Sequence, residues 1–314
     1  MNTTKKITTI GGQALMEGIM MVGPKRTVAA FCDENGNIST EEIAVPRLTK
    51  QYPILGKPFI RGIFSLIDSF RLGYKALSLS ADKITQGDEE EELSGVDKWL
   101  NDHLGEKLTG ALMAVASVLG VALAVALFFL LPTVLFNLLQ GAVQADIAGW
   151  RSIFEGVIRI ALFVGYVAAI GMVPDIKRTF QYHGAEHKTI FCYENDLPLT
   201  VENVRKQGRF HPRCGTSFLL LMLLLGIVVG FFIPFSNPFL RTFTKLLCIP
   251  VIMNLGYELQ KACARHDGWL SRAVTAPGLW MQRLTVKEPD DKMIEAAIAA
   301  MEAVIPENGE DLIR

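Results

Sequence analysis

The chain has 314 residues, 50% of them apolar and 20% charged, with 31 basic and 32 acidic side chains that leave a formal net charge of −1. That balance excludes the basic excess of a domain built to hold nucleic acid, and the apolar share excludes a disordered chain. Charge is also swept out of particular stretches, with none between Leu108 and Leu131, which is the pattern of a membrane protein.

Met1 to Pro24 is broken by Gly11, Gly12, Gly18 and Gly23 and carries Glu17, so it lacks a signal-peptide core and is expected to belong to the mature fold. The glycines of Gly11 to Pro24 would let backbone pack closely against a neighbour. Glu17 fits either a buried functional carboxylate or a helix N-cap. Gly11-Gly12-Gln13 matches the tripeptide with which release factors hydrolyse peptidyl-tRNA, but no basic surface accompanies it. Thr27 to Cys32 and Ile38 to Val45, joined across an Asn-Gly turn, predict a β-hairpin.

From Phe59 to Leu77 the period becomes helical. Ile60, Ile63, Phe64, Ile67, Phe70 and Tyr74 share one face, with Arg61, Ser65, Asp68, Arg71 and Lys75 on the other. Such a basic amphipathic helix lies either in the plane of the bilayer or on the protein's own core. The acidic run Asp88 to Glu92 reads as a solvated linker before a pre-membrane helix.

About four stretches are long and apolar enough to cross a hydrocarbon core: Leu108 to Leu131, Ile153 to Val173, Thr216 to Phe235, and the weaker Phe239 to Tyr257, into which Arg241 and Lys245 intrude. Glu155 and Arg159 in the second fit an interface or a face turned to other helices. Small residues in the first, Gly110, Ala114, Ser117, Gly120 and Ala122, suit close helix approach, within one subunit or in a homo-oligomer. Lys and Arg collect between Pro174 and Gly215 and after Tyr257, and are absent from Pro132 to Trp150. Both termini and the central segment are therefore expected on the cytoplasmic side of the cell membrane.

Beyond the last span, Trp269 and Trp280 near Arg272 and Arg283 suit a membrane surface. Asp290 or Asp291 can cap a terminal helix with Ile294, Ile298, Met301 and Ile305 on one side, ended by Pro306 and docked on the amphipathic surface elements. Five widely spaced cysteines without a C-x-x-C pair argue against a disulfide framework.

Chemistry concentrates between the second and third spans. His183, Glu186 and His187 form H-x-x-E-H, and on a helix residues four apart share a face, so both imidazoles can meet one ion. The order resembles that of the inverted zinc peptidases, where two histidines bind zinc and the carboxylate handles the proton of the attacking water. His211 and Cys214 follow in HPRCGTS, with Cys214 at the start of the third span, where a helix N-terminus favours thiolate. Glu258, at the cytoplasmic end of the fourth span, is the candidate for the further ligand that a later glutamate supplies in those peptidases. Three protein ligands plus water would permit catalysis; four, with Cys214, would close a structural site. The competing reading is a solvated hydrogen-bond network among histidines, carboxylates and neighbouring cations.

GGQALMEGIMMVGP, HGAEHK, HPRCGTSF and PGLWMQRLTVKEPDD, taken together, resemble the YqhQ-like family of bacterial membrane proteins over nearly the whole chain. The resemblance implies a metal-dependent enzyme of unassigned function, carried by His183, Glu186, His187, His211 and Cys214.

The expected architecture is therefore mainly α-helical and multi-pass, with a small N-terminal β-hairpin region and interfacial helices. Its segments are residues 1–52 (cytoplasmic, β-containing), 53–107 (amphipathic helix, linker and pre-membrane helix), 108–259 (spans, with the His/Cys segment 174–215) and 260–314 (cytoplasmic tail). The expected function is zinc-dependent hydrolysis at the cytoplasmic membrane face, with Glu186 as catalytic base and His183, His187, His211, Cys214 and Glu258 as candidate ligands. The substrate is a peptide or a lipid-linked molecule. The alternative is a non-catalytic scaffold, channel or assembly factor with a structural metal. The expected partner is the lipid bilayer, and nucleic acid is not expected.

Overall fold

A computed structural model describes residues 6–33, 35–58, 60–87, 114–143, 145–265 and 268–312. The chain forms two compact units, each discontinuous in sequence. One comprises Met1–Gly87, Gly165–Met222 and Met253–Arg314; the other comprises Asp88–Val164 and Leu223–Ile252. The acidic run, the pre-membrane helix and Gly110 lie outside the described residues.

The first unit is built on a four-stranded antiparallel sheet, β1 (Gly11–Leu15), β2 (Gly18–Val22), β3 (Thr27–Cys32) and β4 (Ile38–Glu42), in the order β1-β2-β3-β4. The expected hairpin is β3 and β4, paired from Val28 opposite Glu42 to Cys32 opposite Ile38. The sheet extends beyond it, because Gly11 to Val22 forms a second hairpin that contains Glu17 at φ 48°.

Both faces of the sheet are covered, since side chains alternate along a strand. Ile19, Met21, Val28 and Ala30 pack with Tyr182, Ala185 and the terminal helix, whereas Leu15, Met20, Ala29 and Phe31 pack with Ala76. The short α1 (Leu48–Gln51) leads toward α2 (Arg61–Gly87). Asp68 on α2 accepts from the backbone N–H of Leu48 at 2.8 Å and Thr49 at 3.2 Å, filling the donors left open at the start of α1.

The terminal helix, α11 (Asp291–Val304), is capped by Asp290, which accepts from Met293 N–H at 2.9 Å. It lies in the core against β2, β3 and the His-bearing helix rather than on amphipathic surface elements, because Met293, Ile294, Ala297 and Met301 are all buried in the sheet-facing cluster. The N-terminal sheet and C-terminal tail thus form one unit.

Among the described residues, three helices are long and apolar enough to cross a membrane, where about four were expected: Ala114–Ala142, Ala148–Ile170 and Pro238–Cys263. The first comprises α3 (residues 114–125), a π-helical turn Ala126–Leu130 and α4 (Leu131–Ala142), so it runs past the expected end at Leu131. Residues 114–124 are exposed throughout and the Cβ position of Gly120 meets nothing within 4 Å, so these small residues make no close internal packing among the described residues. The second contains α5 (Arg151–Ile170).

The expected third span is the 16-residue helix α8 (Gly215–Gly230), which ends before Pro234. At 1.5 Å per residue it reaches only about 24 Å, short of the roughly 30 Å of hydrocarbon. The fourth, expected to be weak, is α9 (Pro238–Arg265), 28 residues with Pro250 inside it.

Candidate metal centre

The segment between residues 174 and 215 is mostly helical. Pro174 opens α6 (Pro174–Glu194), which carries H-x-x-E-H, and α7 (Val201–Arg205) follows. The helical spacing brings His183 and His187 together, with ring centroids 4.5 Å apart. The turn before α8 adds Cys214. One ligand atom from each of His183, His187 and Cys214 lies within 4.8 Å of the others, and His183 Nε2 is 3.2 Å from Cys214 Sγ. For nitrogen and sulfur ligands arranged tetrahedrally around zinc, a separation of about 3.5 Å is expected.

Both imidazoles are oriented by backbone. His183 Nδ1 lies 3.0 Å from Thr285 O, and His187 Nδ1 lies 2.6 Å from Arg209 O. A carbonyl can only accept, so each Nδ1 carries a proton, which leaves Nε2 as the nitrogen that can offer a lone pair to a metal. Thr216 N–H donates to Cys214 Sγ at 3.4 Å.

Small residues make this approach feasible. A Cβ on Gly184 would lie 1.9 Å from Lys287 O, so only glycine lets α6 lie against the chain just after α10 (Trp269–Thr285), the helix whose last residue offers its carbonyl to His183. Gln282, fully buried on α10, accepts from His211 N–H at 2.8 Å and donates to His211 O at 2.7 Å and Ser217 Oγ at 2.9 Å. It thereby fixes both ends of the turn that carries Cys214. Neither its role nor those of Thr285 and Arg209 were legible in advance, since any residue type can offer a carbonyl.

Glu186 is buried and accepts from Gly12 N–H at 3.0 Å. Burial pushes its carboxyl upward, against the opposing pull of His183 and the Gly12 N–H. The close approach expected of the N-terminal glycines is this one: a Cβ on Gly12 would sit 2.7 Å from Met20 O and 2.9 Å from Glu186 Cδ. Glu186, His183, His187 and Cys214 line one cavity of about 430 Å³ together with Gly11 and Gly12.

Two expected ligands are engaged by other groups, although His211 lines the same cavity. His211 stacks near His187, with centroids 5.6 Å apart, but its Nε2 lies 3.6 Å from Glu194 Oε2 and 3.3 Å from the Arg213 guanidinium. Burial, aided by the Arg213 charge and opposed by Glu194, lowers its pKa to about 4, so it is neutral at pH 7. Burial raises the pKa of Glu194, but His211, Arg213 and the Thr8 N–H outweigh it and hold the carboxylate below its ordinary value. Glu258 forms a two-pronged ion pair with Arg61, whose Nε donates to Oε1 at 2.6 Å. Glu17, neither deeply buried nor a cap, pairs with Arg178 on α6 and fastens the β1–β2 turn to the helix bearing the histidines.

These features define a mainly helical chain with membrane-length apolar helices, in which a small sheet backs a cluster of two helix-borne histidines and a cysteine from the turn before α8. The chain belongs to the family described as "Protein of unknown function (DUF1385)", whose model matches residues 57–307. It is 34% identical over 296 residues to the uncharacterized protein YqhQ of Bacillus subtilis (strain 168), covering 94% of this chain and 92% of that one. The YqhQ-like resemblance of the motifs is thus borne out. No solved structure matches the chain.

Proposed function

We propose that the chain is a zinc-dependent hydrolase at the cytoplasmic face of the bacterial inner membrane, with a peptide or lipid-linked substrate. The observation that carries this reading is the convergence, among the described residues, of His183, His187 and Cys214 beside a buried carboxylate in a cavity that His211 also lines. Zinc held there would polarise the scissile bond and make a water acidic. Glu186 would accept that water's proton, and the raised affinity of its buried carboxyl for protons suits a base that later returns the proton to a leaving group. The backbone N–H of Gly12 would hold the carboxylate in one orientation.

A structural clamp in a scaffold or assembly factor would need a fourth ligand. The engagement of His211 with Glu194 and of Glu258 with Arg61 argues against either completing such a set.

The membrane setting is supported by α2. Gly62, Gly73, Ala76 and Ser80 are buried, together with Asp68, which faces α1, whereas Ile67, Phe70, Tyr74 and Leu77 are exposed. A helix with small residues inward and large apolar ones outward suits an in-plane position in a bilayer. Exposed Trp269, Leu270 and Trp280 on α10 suit the same interface.

Two variants test the function. His187→Ala should abolish bound zinc in purified protein. Glu186→Gln should retain the metal and fail to restore function to a strain that depends on this chain. Full complementation by Glu186→Gln would remove the hydrolytic reading and leave a structural metal.

A further inference from the structure

The second unit contains a buried cluster of cations for which the hydrolytic site has no use. On α5, Arg151, Glu155 and Arg159 recur every four residues and so share a face. On α9, Arg241 and Lys245 have the same spacing. Glu155 receives Arg241 Nε at 3.0 and 3.1 Å and pairs with Lys245, while Arg151 stands 4.0 Å away. Arg159 lies within electrostatic reach of Glu155, Arg241 and Lys245. Four cations therefore surround one carboxylate. The only other carboxylate among the described residues of this unit, Asp146, is exposed.

Most donors of the cluster are engaged. Arg241 also bonds Ile233 O, Ser152 Oγ and Gly230 O, and Lys245 donates to Thr133 Oγ1 at 3.3 Å. Arg159 differs. Its Nε donates at 2.7 Å to Phe128 O, in the π-helical turn, whose widened backbone can free a carbonyl for such a bond. Its Nη2 has no hydrogen-bond partner although the residue is only 5% exposed. An unpaired guanidinium nitrogen in an apolar setting, within a surplus of positive charge, is costly unless an anion completes it. With Nε already donated to Phe128 O, the terminal nitrogens of Arg159 remain for paired oxygens such as those of a carboxylate or a phosphate, and phosphate is the one that anionic lipid head groups carry. Arg159 lies about 12 Å along α5 from its first residue and Lys245 about 10 Å along α9, so the cluster belongs to the N-terminal part of both helices.

We propose that Arg159, in the field of Arg241 and Lys245, binds a phosphate-bearing anion, either the phosphodiester of an anionic phospholipid or free phosphate.

Full-length protein in detergent would be given phosphatidylglycerol, phosphatidylcholine or inorganic phosphate, with binding read by native mass spectrometry for the lipids and calorimetry for phosphate. Phosphatidylglycerol retained over phosphatidylcholine, with no phosphate uptake, identifies a lipid head group; saturable phosphate uptake identifies the free anion. In either case Arg159→Met should weaken binding at least tenfold while Asp146→Asn leaves it unchanged. If Arg159→Met does not fold, Arg159→Lys, which keeps the charge but loses the fork, should still weaken binding severalfold. Wild-type protein that prefers neither anion, or Arg159 variants that bind as tightly as wild type, would overturn the proposal.

Discussion

His183 Nε2 and Cys214 Sγ, 31 residues apart in sequence, face each other at 3.2 Å between α6 and the turn before α8. Each is positioned by the α10 region, His183 through Thr285 O and the Cys214 turn through Gln282. Ligands placed by independent backbone contacts are pre-organised before any ion arrives.

Gln282 should therefore behave as a positioning residue. Gln282→Leu would leave the buried N–H and C=O of His211 unpaired, a cost of about 1–3 kcal/mol for each group. Zinc affinity should fall roughly 10–100-fold, although Gln282 touches no ligand atom. Competition with a chelator of known affinity would measure the loss; unchanged affinity would show that the turn holds itself.

The paired glycines should respond in opposite ways. Gly12→Ala would drive a methyl group against Met20 O and Glu186, so destabilisation of about 1–3 kcal/mol is expected. Gly11→Ala meets nothing within 4 Å and should be neutral within about 0.5 kcal/mol or slightly stabilising. Gly184→Ala would collide with the Lys287 backbone and should prevent accumulation of folded protein. Denaturation of the Gly11 and Gly12 variants in detergent, together with the yield of folded Gly184→Ala protein, checks the order.

Glu258 should be dispensable for metal. Because its carboxylate is paired with Arg61, Glu258→Gln should leave zinc stoichiometry unchanged while weakening the attachment of α2. Both side chains are partly exposed, so a cost of about 1 kcal/mol or less is expected. Loss of zinc in this variant would return Glu258 to the ligand set.

Acid should destabilise the first unit through His211 and Glu194. His211 has a folded pKa of about 4 against an ordinary 6.5, so between these values the unfolded chain binds more protons and stability falls as pH drops. Glu194, held low when folded, contributes stability above its unfolded pKa that is lost as pH falls through its folded value. The two effects have the same sign. Unfolding midpoints measured from pH 8 to pH 4 should decline, and Glu194→Gln should start lower but decline less steeply.

Much of this was legible in residue spacing, and what was not has identifiable causes. H-x-x-E-H read as one helix face is a local property, and α6 presents it so. Strands β1 and β2 were hidden because both faces of β2 are buried, which erases the alternation that marks a half-exposed strand, and because glycines and methionines weaken the β signal. The short α8 shares the apolar composition of a span; its end at Gly230, shortly before Pro234, is set by local helix breakers that hydropathy does not register. His211 and Glu258 carry ligand chemistry, but their partners Glu194 and Arg61 are distant in sequence, so composition could not show that they were already engaged.

Cobalt(II) titration of the full-length protein, followed by absorption, addresses the shared ion most directly. One equivalent should produce tetrahedral d–d bands together with a near-ultraviolet thiolate-to-cobalt charge-transfer band, and Cys214→Ser should remove the charge-transfer band. Wild-type protein that shows no such band, or a band that survives in Cys214→Ser, would contradict a site built from His183, His187 and Cys214.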